Sequence, residues 1–75
     1  MENFLEMISI NPEIRFGKPC IQGTRIAVED ILGWLASGMS NEEIIEDYPS
    51  LNKDQILAAL SFAARREQYV RILVS

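Results

Sequence analysis

The chain has no histidine and only one cysteine, Cys20, among its 75 residues. These shortages exclude an intramolecular disulfide and any metal site built from histidine and cysteine clusters. They also deny a serine or cysteine nucleophile the imidazole that usually serves as its base. No apolar run approaches the ~20 residues needed to cross a bilayer. The opening Met1-Glu2-Asn3-Phe4-Leu5-Glu6 carries acid where a signal peptide carries base. The expectation is a cytoplasmic protein without a membrane segment, cofactor or catalytic site, its lone thiol suited to a reducing compartment.

What is present is enough apolar side chain, 48% of residues, to build a core. The margin is small: at roughly 0.05–0.15 kcal/mol per residue, the stability expected is about 4–11 kcal/mol. Chains of this size commonly take support from disulfides, metals or a second subunit. With the first two closed, association is favoured, and a homodimer is expected.

The chain has two unlike parts. In residues 1–27, short apolar pieces (Ile8, Ile10, Ile14, Phe16, Ile21, Ile26) alternate with Asn11-Pro12-Glu13, Gly17-Lys18-Pro19 and Gln22-Gly23-Thr24. That pattern predicts short strands or an extended arm joined by turns. From Val28 the period becomes helical: Val28, Ile31, Leu32, Leu35 and Ala36 form one stripe, and Gly38 ends the helix. Ser40 and Glu43 then make a capping box, with Met39 and Ile44 as its hydrophobic staple. This second helix, over 41–47, stops at Tyr48-Pro49. Asn52 with Gln55, and Leu51 with Ile56, repeat the device for a third helix of about 20 residues. An extended stretch over 69–74 is the alternative ending. The fold class predicted is mainly α: a tri-helical helix-turn-helix bundle over 28–75, preceded by short N-terminal strands.

The third helix carries one stripe of Ile56, Ala59, Leu60, Ala63, Val70 and Val74, and a second of Ala58, Phe62, Tyr69 and Leu73, with Lys53, Asp54, Leu57 and Ser61 expected to be exposed at its start. The second stripe and Trp34, which lies off the first helix's stripe, are either covered by the N-terminal strands or used as anchors for a partner. On the partner reading, Trp34, Phe62, Arg65, Arg66 and Tyr69 are the candidate protein contacts.

Three short capped helices are also the plan of a DNA-binding helix-turn-helix, whose third helix enters the major groove. Lys53, Gln55 and Arg25 are the candidate DNA contacts. Charge limits that reading. Residues 28–51 carry six acids and no base, whereas residues 52–75 carry four bases against two acids. Phosphates cannot face the acidic segment. Cations would have to come from Arg15, Lys18 and Arg25 in the arm, or from Lys53, Arg65, Arg66 and Arg71. The carboxylate pairs Glu42/Glu46 and Glu43/Asp47 are best read as a solvated helix start rather than a Mg²⁺ site. Gly17-Lys18-Pro19 lacks the glycine and hydroxyl residue of a phosphate loop.

The string Gly17-Lys18-Pro19-Cys20-Ile21-Gln22-Gly23-Thr24-Arg25-Ile26, with Gly38-Met39-Ser40, Glu43-Ile44, Tyr48-Pro49 and Ala58-Ala59-Leu60, resembles the small prokaryotic family called domain of unknown function 433. The likeness covers about residues 8–64. It implies a tri-helical helix-turn-helix with preceding strands, often dimeric. It further implies an antitoxin role against a PIN-like ribonuclease toxin, with binding to its own operator DNA. Phe16 and Gln22 depart from the family pattern, where a glycine and a basic residue are common. Arg25 is read as tying the arm to Glu29, Asp30 or Asp47, or as touching phosphate. Three functions follow: an antitoxin-like regulator first, a stand-alone helix-turn-helix transcriptional regulator second, and a protein-interaction module without nucleic acid third.

Overall fold

A computed structural model describes residues 4–74 of the chain, with side chains over 6–66. The apolar pieces of the arm do form strands. β1 (Ile8–Ser9) and β2 (Cys20–Ile21) pair antiparallel, Ile8 opposite Ile21 and Ser9 opposite Cys20. Ala27 adds an isolated bridge to Cys20. So short a ribbon is stable only against other elements. Its inner residues, Cys20 and Ile21, are accordingly buried beneath the helices.

Three helices follow: α1 (Val28–Ala36), α2 (Asn41–Asp47) and α3 (Lys53–Val74). Their limits come from the local chemistry read in the sequence. Gly38 takes φ of 102°, a left-handed value that suits glycine after a helix. Ser40 Oγ accepts from the Glu43 amide at 3.1 Å while Glu43 Oε1 accepts from the Ser40 amide at 2.8 Å. Asn52 and Gln55 exchange the same pair of bonds at 2.9 and 2.8 Å. α3 continues as helix through 69–74, where the extended alternative is not taken.

The core is Ile21, Val28, Ile31, Ile44, Leu51, Ile56 and Ala59. Two stripe assignments are corrected by it. Ala36 is exposed, although its neighbour Leu35 packs against the core. On α3, Leu60 is exposed, whereas Ala58 is buried and Phe62 packs partly against the core. Ala58 and Phe62 thus form the flank of a wide buried arc, while the Tyr69 and Leu73 side chains lie outside the described residues. The N-terminal 3-10 turn (Phe4–Met7) packs against α3 alongside α1 and α2. The exposed arc of α3 carries Lys53, Leu57, Leu60 and Ser61.

Candidate functional site

The arm is fastened to α1 by two ion pairs. Arg15 Nη1 donates to Asp30 Oδ2 at 2.8 Å and to the Arg25 carbonyl at 2.8 Å. Lys18 Nζ donates to Glu29 Oε2 at 2.6 Å. Asp30 Oδ2 also accepts from the Ala27 amide at 3.0 Å, so one carboxylate both closes the start of α1 and holds the arm. The Arg15 guanidinium hydrogen-bonded to it holds the Asp30 carboxyl below the usual carboxylate range. Partial burial opposes this shift, and the Ala27 amide adds to it. The expected tie from Arg25 is corrected here: Arg15 and Lys18 take those acids, and the Arg25 side chain stays exposed. The chain path explains the exchange, since the turn over residues 15–17 swings Arg15 back to the first turn of α1. Sequence spacing alone did not carry that reversal.

The turn is unusual in itself. Arg15, Phe16 and Gly17 take φ of 52°, 59° and 81°, a run of left-handed backbone in which only the third residue is glycine. Left-handed helical backbone costs roughly 1–2 kcal/mol per non-glycine residue. Phe16 recovers none of that by burial, being 97% exposed. The position where the family commonly carries glycine is therefore one whose backbone favours glycine. Phe16→Gly should raise stability by about 0.5–1 kcal/mol, because relief of the left-handed penalty exceeds the added freedom of glycine in the unfolded chain. Thermal melting of the two proteins side by side measures it, and a lower melting temperature for the glycine variant would contradict the strain.

The candidate protein contacts fall into different settings. Trp34 is half-buried and stacks on Tyr48, ring centroids 4.2 Å apart and planes 12° apart. Tyr48 itself keeps 37% exposure. Phe62 packs against the core, and the exposed Arg66 guanidinium lies 5.8 Å from its ring centre. Arg65 is exposed and takes part in an interaction of its own. The Tyr69 side chain lies outside the described residues. Leu57, at 46% exposure, lies outward as the helix-turn-helix reading expects, whereas Leu60, expected on the buried stripe, joins it at 41%. The only signal for Leu60 was the wide angular spread of α3's apolar positions, which a single stripe could not absorb.

The candidate DNA contacts are dispersed. Lys53 is exposed at the first residue of α3, Gln55 spends its amide oxygen on the Asn52 cap, and Arg25 lies in the arm before α1. Arg15 and Lys18 are neutralised by acids of α1, while Glu42, Glu46 and Asp47 stand exposed on α2. Among the described residues, no three acidic or cysteine side chains converge as a metal site. None of the described helices is long and apolar enough to cross a membrane. Cys20, 1% exposed, donates to the Lys18 carbonyl at 3.3 Å and is packed as a core residue.

The same arrangement of elements occurs in a solved protein. The crystal structure of a DUF433 member protein from Anabaena variabilis superposes with a TM-score of 0.77 at 27% sequence identity, over 92% of this chain and 69% of that one. The Uncharacterized protein y4eO of Sinorhizobium fredii is 36% identical over 58 residues, which is 77% of this chain. The chain spans about a quarter (26%) of that relative's length. The model of the family described as Protein of unknown function (DUF433) matches residues 8–63, from β1 through the buried half of α3. With its arm, its capped helices and most of its length inside that match, the chain belongs to the DUF433 family.

Proposed function

We propose that this protein is a non-enzymatic, antitoxin-like binding module, working as a homodimer, that holds a PIN-like ribonuclease toxin through the outward arc of α3. The observation behind this reading is the pair of exposed leucines, Leu57 and Leu60, on the face where a DNA-reading third helix presents polar and basic side chains. Aliphatic side chains left in water on an otherwise complete fold gain free energy when a partner covers them. A phosphate backbone offers them nothing. Lys53 on the same arc would orient a partner rather than supply its affinity.

Operator binding is the second reading, and Lys53 on the same arc favours it. It draws on few cations, since Arg15 and Lys18 are already paired with acids. Co-expression with a small nuclease encoded beside it, followed by co-purification, tests the first reading. Wild type should retain the nuclease and Leu60→Glu should lose it, with the helical circular dichroism signal unchanged. Failure of the wild type to co-purify with that nuclease would reject it. A mobility shift on the protein's own promoter tests the second: binding should weaken with salt and with Lys53→Ala. Absence of a shift at low salt would reject DNA binding.

A further inference from the structure

We propose that the Phe16 turn is a docking knob for a second copy of this chain, and that it seats on that copy's Trp34–Tyr48 stack. The proposal rests on the dimeric part of the reading above and gives that dimer a contact.

The knob is held rigidly. The Gly17 amide donates to the Ile14 carbonyl at 3.1 Å and the Lys18 amide to the Arg15 carbonyl at 3.2 Å, closing the turn from both sides. Arg15 ties it to Asp30 and to the Arg25 carbonyl, so the turn and the Arg25 segment lie side by side. With the backbone already fixed, docking of the 97% exposed ring costs side-chain rotamer freedom but no further backbone ordering. The fold itself draws nothing from this ring: it buries no part of it and holds its backbone in the left-handed region.

The receptor is an aromatic plate. Tyr48 lies on Trp34 almost parallel and shows more than a third of its surface to solvent. Rings of this kind accept a third aromatic edge-on or offset. The two surfaces do not meet within one chain, the Phe16 ring being 97% exposed. The turn is tied to Glu29 and Asp30 in the first turn of α1, whereas Trp34 stands a helical turn further along.

Charge selects a second copy as the occupant. Beside the knob, Arg15 and Lys18 are spent on Asp30 and Glu29, and the exposed Arg25 is the cation left over on that limb; Glu13 lies on the other limb. Beside the plate, the exposed Glu46 and Asp47 immediately precede Tyr48, and residues 28–51 contain no base. One molecule thus displays both halves of a complementary pair. A two-fold axis uses both at once, each copy supplying one knob and one plate.

Sedimentation equilibrium on the full chain, over a range of protein concentrations, tests the contact. Phe16→Gly keeps a residue that tolerates the left-handed turn, so the variant remains folded by circular dichroism. Its dimer dissociation constant should rise about tenfold or more, as for loss of an aromatic anchor. Asp47→Arg should weaken the dimer, and adding Arg25→Asp to it should restore much of the affinity by exchanging the charges. A wild-type chain that is monomeric throughout, or a Phe16→Gly dimer as tight as wild type, overturns the proposal. Nuclease co-purification is scored separately on the same variants, so loss of the toxin reading and loss of this contact give different results.

Discussion

Replacing Ile44 with alanine should lower the free energy of unfolding by about 2–5 kcal/mol, against a total expected near 4–11 kcal/mol. Ile44 is fully buried and is the one buried residue of α2, a helix of seven residues. Around it α2 is polar: Asn41, Glu42, Glu43, Glu46 and Asp47 face solvent wholly or in part, and only Ile45 adds further apolar contact. Isolated helices this short do not persist in water, so α2 exists because Ile44 docks it against its neighbours. Removing three carbons there leaves a cavity and also loosens the element that carries the Tyr48 plate. Urea titration followed by circular dichroism should give a much lower midpoint for Ile44→Ala and a small decrease for Ile44→Val. A midpoint for the alanine variant within experimental scatter of wild type would mean that α2 is held by something other than this side chain.

Asp30→Ala should cost about 1–3 kcal/mol, chiefly because the Ala27 amide is left buried without an acceptor. Ala27 is fully buried and its N–H donates to Asp30 Oδ2, the atom that also receives Arg15. Two junctions depend on that one oxygen: the entry into α1 and the fastening of the left-handed turn. Asp30→Asn keeps a carbonyl acceptor for the amide but gives up the charge, so its loss should be smaller. The pH dependence follows from the direction of the Asp30 shift. With a folded-state pKa below the ordinary carboxylate value near 4, its contribution is complete above that value. It disappears as the pH falls through the lowered pKa. Wild type should therefore lose stability between about pH 4 and lower pH by an amount that Asp30→Asn lacks. Parallel acid-unfolding curves for the two proteins would show that Asp30 contributes no linkage.

Much of the helical part was legible from short-range chemistry. Ser40 with Glu43 and Asn52 with Gln55 are reciprocal pairs between residues three apart, and their bonds form as read. Gly38 and Tyr48-Pro49 end their helices for reasons contained in the residues themselves. The family likeness rests on the same kind of local string, from Gly17 to Ile26, and the family match covers it. The faces of α3 were less legible. Ala58, Leu60 and Phe62 all fit an apolar stripe by periodicity, and the packing of the 3-10 turn, α1 and α2 around α3 leaves Ala58 inward and Leu60 outward. Trp34 was also ambiguous, because its cover is Tyr48, fourteen residues later and in another helix's cap.

The candidate contacts divide in the same way. Exposed cations such as Lys53 and Arg25 were visible as residues, but their supply was not. Whether Arg15 and Lys18 are available to a ligand depends on the reversal of the arm that brings them onto Asp30 and Glu29. Counting charges along the chain placed the acids correctly on α1 and α2 and could not pair them.

Residue identity alone set where the first two helices end and the last two begin, that no disulfide joins two residues of the chain, and that the acids gather over 28–51. Those properties depend on residue identity and on neighbours within one helical turn. Only the tertiary structure decided which cation holds the arm, which side of α3 meets solvent, and that Phe16 stands on a left-handed turn with its ring in water. The first two are fixed by contacts between segments ten or more residues apart, where chain reversal rather than periodicity sets the partner, and the turn is tied down by Arg15 reaching Asp30.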